Sequence, residues 1–187
     1  MPTTLWTVGH STRSLPELID LLQEHGIRRL VDVRRFPGSR RHPQFGEDSL
    51  ASGLAAAGIS YRHERDLGGR RQPLPDSPNL AWRSAGFRGV ADHLATEAGR
   101  RALERLAAEA ERQLTAILCA EAHSAGGHRR LIADALVARG VAVIHVLAVG
   151  STAPHRLQPL ARIGATGDVT YPAAPEMQPA SLTAGRR

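Results

Sequence analysis

The chain has a single cysteine, Cys119, which begins the segment CAEAHSAGGHRR at residues 119–130. A thiol loses its proton more readily beside an arginine, a protonated histidine or a helix N-terminus. His128 and Arg129 end the same segment and could supply such surroundings. Two interpretations follow: Cys119 is a nucleophile or lines a reactive site, or it is a small buried hydrophobic residue of the core.

Three other side chains are candidates for proton transfer: His10, Asp32 and Glu121. Histidine titrates near neutral pH and is the commonest general acid or base. Asp32 ends an apolar run, where a carboxylate is costly to bury without a partner. It is either a general base or the group that orients His10, or it forms a structural ion pair with Arg34. The predicted catalytic residues are Cys119, His10, His128, Asp32 and Glu121.

Glycines and arginines near these positions could bind an anion. Gly9 allows a ligand to approach the backbone, and the amides that follow it could hold a negative charge. Arginine side chains match the geometry of phosphate, and they cluster in RRFPGSRRHPQF (34–45) and LGGRR (67–71). A plain tight turn capped by Ser11 and solvated basic loops are the alternative explanations. The predicted substrate-binding residues are Gly9, Ser11, Arg13, Arg34, Arg40, Gly68, Gly69, Arg70 and Arg129.

A metal or haem site is a further alternative, and it would use Cys119 or a histidine. The candidate ligands Cys119, His123, His128 and His10 have a spacing that matches no compact zinc pattern. We therefore assign no metal ligand. The sequence identifies no cofactor and leaves open that there is none.

Alternating strands and helices must position these residues. Short apolar runs predict strands at 5–10, 27–33, 59–63, 115–120 and 141–147. Capping signals and helical periodicity predict helices from the Ser14–Glu17 capping box to Gly26, at 47–57, from about Phe87 to Gln113, and at 128–139. This alternation is typical of a parallel sheet covered on both faces. Ligands bind outside the carboxyl ends of such strands, so we expect His10, Asp32 and Glu121 to lie on one rim.

The composition predicts one folded domain. A chain of 187 residues with 42% hydrophobic residues is long enough to bury a core. We expect an α/β domain over residues 1–149, a Rossmann-like three-layer sandwich with a mainly parallel sheet of about five strands. Residues 64–86 form a long loop, which in a compact domain is usually functional or mobile. Residues 150–187 have few apolar anchors, and we expect a largely disordered C-terminal tail.

Charge and cysteine content restrict the partners and the compartment. The net charge is +6 and all 24 cationic side chains are arginine, which fits an anionic small molecule or a nucleic acid as partner. No apolar stretch reaches the roughly 18 residues of a membrane span, so no membrane partner is expected. The N-terminus lacks the pattern of a signal peptide, and a lone cysteine forms no internal disulfide, which together favour the cytoplasm. The oligomeric state stays open, a dimer included.

Five stretches of the chain form a recognisable pattern. They are TVGHSTRSLPELIDLL, LVDVRRFPGSRRHPQF, GISYRHERDLGGRR, GFRGVADH and LCAEAHSAGGHRRLIADALVARGV. In this order, over residues 4–147, they resemble the domain-of-unknown-function 488 family. The resemblance implies a compact α/β fold. The family has no settled activity, and context links parts of it to nucleic-acid transactions and stress systems.

The resemblance also marks individual positions. The family's motif positions fall here on Gly9, His10, Ser11, Asp32, Arg34, Arg40, Gly68, Gly69, Cys119, Glu121, His128 and Arg129. Members commonly have a cysteine where this chain has Gly127, so chemistry that needs a cysteine pair is not expected. Members usually have an aromatic residue where Val90 stands, so no stacking role is expected at that position.

The residues therefore favour an enzyme that acts on an anionic, phosphorylated or nucleotide-like substrate in a Cys/His/Arg-lined pocket at the strand ends. Two other functions stay open. One is a non-catalytic nucleic-acid-binding module, in which the arginine loops follow phosphates and Phe36 or Phe45 stacks on a base. The other is a metal- or haem-binding protein that uses Cys119 or a histidine.

Overall fold

The computed structural model describes residues 3–38, 42–123 and 126–173, which form an α/β sandwich. Its strands are β1 (Thr4–Gly9), β2 (Arg29–Asp32), β3 (Ser60–His63), β4 (Thr115–Cys119), β5 (Ala142–Ala148) and β6 (Ser151–Pro154). Its helices are α1 (Leu15–Glu24), α2 (Glu47–Ala56), α3 (Ala85–Leu94), α4 (Glu97–Arg112) and α5 (Arg129–Val137). The sheet has the order β3-β2-β4-β1-β5-β6, in which β1–β5 are parallel and β6 is antiparallel to β5. The predicted Rossmann-like fold with a mainly parallel sheet is confirmed.

The sheet is buried on both faces because helices cover each side. Leu5 and Ile117 pack with α3, α4 and α5 on one face. Val8 and Leu118 pack with α1 and α2 on the other. Every residue of the central strand β4 is buried, which explains why its sequence is a continuous apolar run. No helix within the described ranges is both long and apolar enough to cross a membrane.

The long loop at residues 64–86 is fixed against α3 by a buried carboxylate. Asp92 of α3 accepts hydrogen bonds from the Leu74 amide at 2.8 Å, from the Ser77 hydroxyl at 2.8 Å and from the Asn79 side-chain amide at 2.7 Å. Three donors on one carboxylate offset the cost of burying it. The loop and the start of α3 are thereby held together as one wall.

Residues 150–173 differ from the predicted disordered tail. Strand β6 pairs with β5 as the sixth strand of the sheet. Two short strands, β7 (Arg162–Ile163) and β8 (Val169–Thr170), then form a hairpin. Tyr171 is buried and donates a hydrogen bond to Asp134 at 2.7 Å. Although this segment has few apolar residues, Ala161, Val169 and Tyr171 join the core cluster, and polar contacts with the domain add to this packing. Residues 174–187 lie outside the described residues.

A buried polar chain connects this C-terminal segment to the sheet and to α5. Thr7 Oγ1 lies 2.7 Å from His145 Nδ1, and His145 Nε2 lies 2.9 Å from His155 Nδ1. His155 Nε2 lies 2.8 Å from Asp134, which also accepts the Tyr171 hydroxyl. Each ring nitrogen of the two histidines therefore has a hydrogen-bond partner in this chain.

The polar chain predicts an acid-dependent loss of stability. Burial, with the charges of His155 and Arg129, lowers the pKa of His145 from 6.5 to about 4. Below pH 6.5 the unfolded chain binds a proton at this position that the folded chain does not, so stability falls as the pH drops toward 4. When the pH is lowered from 7.5 to 4.5, the free energy of unfolding measured in urea should fall by about 2 kcal/mol more for the wild type than for His145→Gln. Equal losses in the two proteins would contradict the prediction.

Candidate functional site

A cavity of about 380 Å³ opens at the carboxyl ends of β1, β2 and β4. Its walls come from the loops after these strands, from the loop after β3 and from the starts of α3 and α5. The lining residues are His10, Arg34, Arg35, Phe36, Gly38, Gly69, Arg70, Ser84, Gly86, Phe87, Val90, Ala120, Glu121 and His128. The structure thus brings together six of the predicted site residues: His10, Arg34, Gly69, Arg70, Glu121 and His128. The rim lies where ligands bind in parallel α/β sheets.

A buried ion pair forms the base of this cavity. Arg34 Nη2 lies 2.5 Å from Asp32 Oδ2, and its Nε lies 2.9 Å from Asp32 Oδ1. Tyr61 donates its hydroxyl to Asp32 at 2.9 Å, and both burial and the Asp32 charge raise the pKa of that hydroxyl. The Asp32 side chain is fully buried, and its hydrogen-bond partners are Arg34 and Tyr61. Of the two interpretations, the geometry matches the structural ion pair and gives Asp32 no contact with a ligand.

His10 follows β1 and presents one ring nitrogen toward Arg34. Its ring stacks on Phe45 with centroids 4.3 Å apart, and Nδ1 donates to the Ser11 carbonyl at 3.0 Å. Nε2 lies 3.5 Å from Arg34 Nη1, so it carries the lone pair. Burial, and also the Arg34 charge, lowers the pKa of His10. The imidazole is therefore neutral near pH 7, with an accepting nitrogen at the cavity wall.

Cys119 lies beneath the cavity floor and not in its lining. The side chain is fully buried and belongs to the same core cluster as Ile117, which lies two residues earlier on β4. Burial raises the pKa of the thiol to about 12, although Arg129 Nη1 lies 3.2 Å from Sγ and opposes this rise. The core interpretation of Cys119 fits this geometry, and the nucleophile interpretation does not.

Arg129 and Gly9 also serve packing more than ligand binding. The guanidinium of Arg129 is fully buried and donates to the Ala122 carbonyl at 2.7 Å. A Cβ at Gly9 would lie 1.8 Å from the Glu121 carbonyl oxygen and 2.7 Å from Arg129 Nη1. The loop after β4 therefore crosses directly over Gly9, which explains the need for glycine.

The turn after β1 uses its amides within the fold. The His10 and Ser11 amides donate to the carbonyls of Cys119 and Ala120 at 3.0 and 2.9 Å. Arg13 donates to the Gly9 carbonyl at 2.6 Å and to the Leu147 carbonyl at 2.8 Å. Ser11 has a φ of 49°, a strained value that this tight turn requires. This geometry does not support the predicted anion site at this turn, because the His10 and Ser11 amides extend the sheet and the Arg13 guanidinium donates to two carbonyls.

The two glycines before Arg70 lie close to the rim, Gly69 against His128 and Gly68 against Arg35. His128 Nε2 donates to the Val33 carbonyl at 2.8 Å, and burial lowers the pKa of the ring. A Cβ at Gly69 would lie 3.0 Å from His128 Nδ1, and one at Gly68 would lie 2.9 Å from Arg35 Cα. These glycines let the loop after β3 approach the rim closely, which places Arg70 in the cavity wall.

Two arginines give the cavity its charge. Arg35 and Arg70 line it, and no carboxylate of the described residues lies within ion-pair distance of either. Glu121 is the one carboxylate in the lining that the structure describes. Arg40, predicted to bind substrate, lies outside the described residues.

The predicted site omitted several side chains of the wall. Arg35 stands in the basic loop 34–45, next to the predicted Arg34, and the sequence indicated Phe36 there only as a base-stacking residue of the nucleic-acid-binding alternative. Ser84 is the N-cap of α3 and Phe87 lies in its first turn, and both line the cavity. Nothing in their residue types indicated a ligand site, because they reach the rim only through the packing of α3.

The comparisons with known proteins identify a family. The family described as "Domain of unknown function DUF488" matches residues 14–136. The match runs from α1 almost to the end of α5 and includes most of the cavity wall, but it begins after His10. No curated protein and no solved structure matches the chain.

The burial of Cys119 predicts a native thiol that resists labelling. With its pKa raised to about 12, only a minute fraction is thiolate at pH 7.5. A disulfide reagent should therefore modify the native protein at least about 1,000-fold more slowly than the guanidinium-unfolded chain. A native rate within tenfold of the unfolded rate would show that the thiol is accessible.

The buried Asp32–Arg34 ion pair predicts that removing one partner lowers the free energy of unfolding by a large amount. Asp32→Asn leaves the Arg34 guanidinium buried without its counter-charge, and should lower the free energy of unfolding by about 3–5 kcal/mol. Glu97→Gln breaks an exposed i,i+4 pair with Arg101 and should change it by less than about 1 kcal/mol. Denaturant unfolding of both variants measures the difference. A similar small change in both would show that the pair contributes little.

Proposed function

The chain belongs to the DUF488 family, and we propose that it is an enzyme that acts on an anionic, phosphorylated or nucleotide-like substrate in this cavity. The observation that carries the proposal is the meeting of two arginines without a carboxylate partner and a neutral histidine in one strand-end cavity. Anion binding and proton transfer each rest on separate features of the lining.

Electrostatics support anion binding. The charge of Arg34 is offset by Asp32, which leaves Arg35 and Arg70 against the single carboxylate of Glu121. The first turn of α3 also faces the cavity, and the positive end of a helix dipole favours an anion. Arginine forks suit the oxygens of a phosphate. The cavity thus carries an excess of positive charge before a ligand enters.

The protonation state of His10 supports a role in proton transfer. Burial and Arg34 keep the ring neutral, and Nε2 is the accepting nitrogen. A general base needs an unprotonated nitrogen with access to the substrate, and the lone pair of Nε2 receives only the long 3.5 Å contact from Arg34 Nη1. We assign His10 as the base that accepts a proton from water or a substrate hydroxyl. His128, whose Nε2 donates to Val33, is assigned to positioning the wall, and Glu121 is the second acid–base candidate.

The other two functions have less support. The arginines without carboxylate partners line a concave cavity, which suits a small anion better than a strand of nucleic acid. Among the described residues, no three His, Cys, Asp or Glu side chains are placed to hold a metal ion, and Cys119 is buried. The single cysteine favours the cytoplasm as the compartment.

Anion binding depends on Arg35 and Arg70 in this proposal. Ribose 5-phosphate is a suitable probe, and calorimetry should show that Arg35→Gln and Arg70→Gln each weaken its binding about tenfold, since each removes a charged phosphate contact. Arg101→Gln, an exposed arginine outside the cavity, should leave the affinity within about twofold. Absence of binding, or equal binding by all the variants, would overturn the anion site.

Catalysis depends on His10. Once a screen of phosphate monoesters, diesters and nucleotides yields a substrate, His10→Gln should lower kcat by at least about 100-fold. The affinity of His10→Gln for ribose 5-phosphate should stay within about threefold of the wild-type value, since the His10 ring accepts a proton and does not bind the phosphate. Because the pKa of His10 is lowered, the acid limb of the wild-type kcat/KM profile should fall below pH 6.5, as the ring becomes protonated. Unchanged turnover in His10→Gln, with His25→Gln as the control, would remove the catalytic assignment.

A further inference from the structure

The aromatic ring of Phe36 lines the cavity and is exposed to solvent. Phe36 is 61% exposed, although it is a large apolar side chain. Other exposed apolar residues, such as Leu74 and Leu80, do not line the cavity, whereas Phe36 does. An exposed aromatic face beside a charged pocket is suited to stacking on a planar ring of a ligand. Such stacking would bury the apolar surface of Phe36 that the fold leaves exposed.

A second ring lines the cavity and is held rigidly. Phe87, at the start of α3, packs edge to face on Trp82 with centroids 5.2 Å apart. Trp82 in turn packs on Tyr171 at 5.3 Å and lies under the Arg130 guanidinium at 4.8 Å. Phe87 is therefore a fixed wall, while Phe36 is the ring with a face open to a ligand.

The cation and the exposed ring are adjacent. Arg35 and Phe36 are consecutive residues and both line the cavity, so a ligand that contacts both carries its anion and its apolar ring close together. The volume of about 380 Å³ lies near the lower end of the roughly 300–1,000 Å³ typical of small-molecule sites. This size suits one base, one sugar and one phosphate better than a dinucleotide.

We propose that the ligand of this cavity is a single nucleotide, with its phosphate at Arg35 and Arg70 and its base stacked on Phe36. The inference rests on the proposed function and narrows its substrate class to nucleoside monophosphates. It assigns the two ends of the ligand to different residues: the arginines bind any sugar phosphate, and Phe36 adds affinity only where a base is present.

The test compares ligands with and without a base. Calorimetry with the four common nucleoside 5′-monophosphates and with ribose 5-phosphate should show at least one nucleotide binding about tenfold more tightly than the sugar phosphate. Phe36→Ala should abolish this preference and leave ribose 5-phosphate affinity within about twofold. Leu80→Ala, which truncates an equally exposed apolar residue outside the lining, is the matched control and should preserve it. A cooperative thermal unfolding transition in each variant would show that both variants fold.

The outcomes separate the two proposals. Arginine-dependent binding of ribose 5-phosphate with no gain from a base, or a gain that survives Phe36→Ala, overturns the nucleotide inference and leaves the anion site standing. Binding of neither ligand overturns both. A short single-stranded oligonucleotide that binds more tightly than every mononucleotide overturns the single-nucleotide inference, because the cavity would then be part of a binding site for a longer strand.

Discussion

The geometry of the cavity depends on the buried ion pair between Asp32 and Arg34. Arg34 also donates to the Phe45 carbonyl at 2.8 Å, and its own carbonyl accepts from His63 at 2.8 Å. Arg34 thus connects the end of β2 with the turn under His10 through its side chain and with the end of β3 through its main-chain carbonyl. Two buried charges are costly, and these additional hydrogen bonds are what such a pair needs to persist. The loops around the cavity are therefore held in one arrangement.

The same pair determines how charge is distributed over the site. Because Asp32 offsets the charge of Arg34, the excess positive charge lies with Arg35 and Arg70 on the wall. Arg34 still keeps its Nη1 near His10, which disfavours protonation of that ring. In the proposed function, the cations attract the anionic substrate, while burial and Arg34 disfavour protonation of His10.

The sequence predicted the rim but not which way each side chain points. The strand-end rule placed His10, Glu121 and His128 correctly, since it depends only on strand order and direction. Cys119, the last residue of β4, and Arg129, the first residue of α5, flank the same loop, yet both side chains turn into the core. The last residue of a strand can face either layer, and the residue types do not say which. The segment after residue 150 was missed for a similar reason: the Tyr171–Asp134 contact joins residues 37 positions apart and leaves no local pattern.

Gly127, where the family resemblance leads us to expect a cysteine, has a structural consequence for Glu121 on the rim. A Cβ at Gly127 would lie 2.8 Å from Glu121 Oε2, so any side chain at this position must displace the carboxylate. The carboxylate is the far end of a flexible side chain and would move out of its present place in the wall. The glycine therefore leaves Glu121 room to line the cavity. In this chain the rim has acid–base groups and cations, and its only thiol is buried beneath the floor.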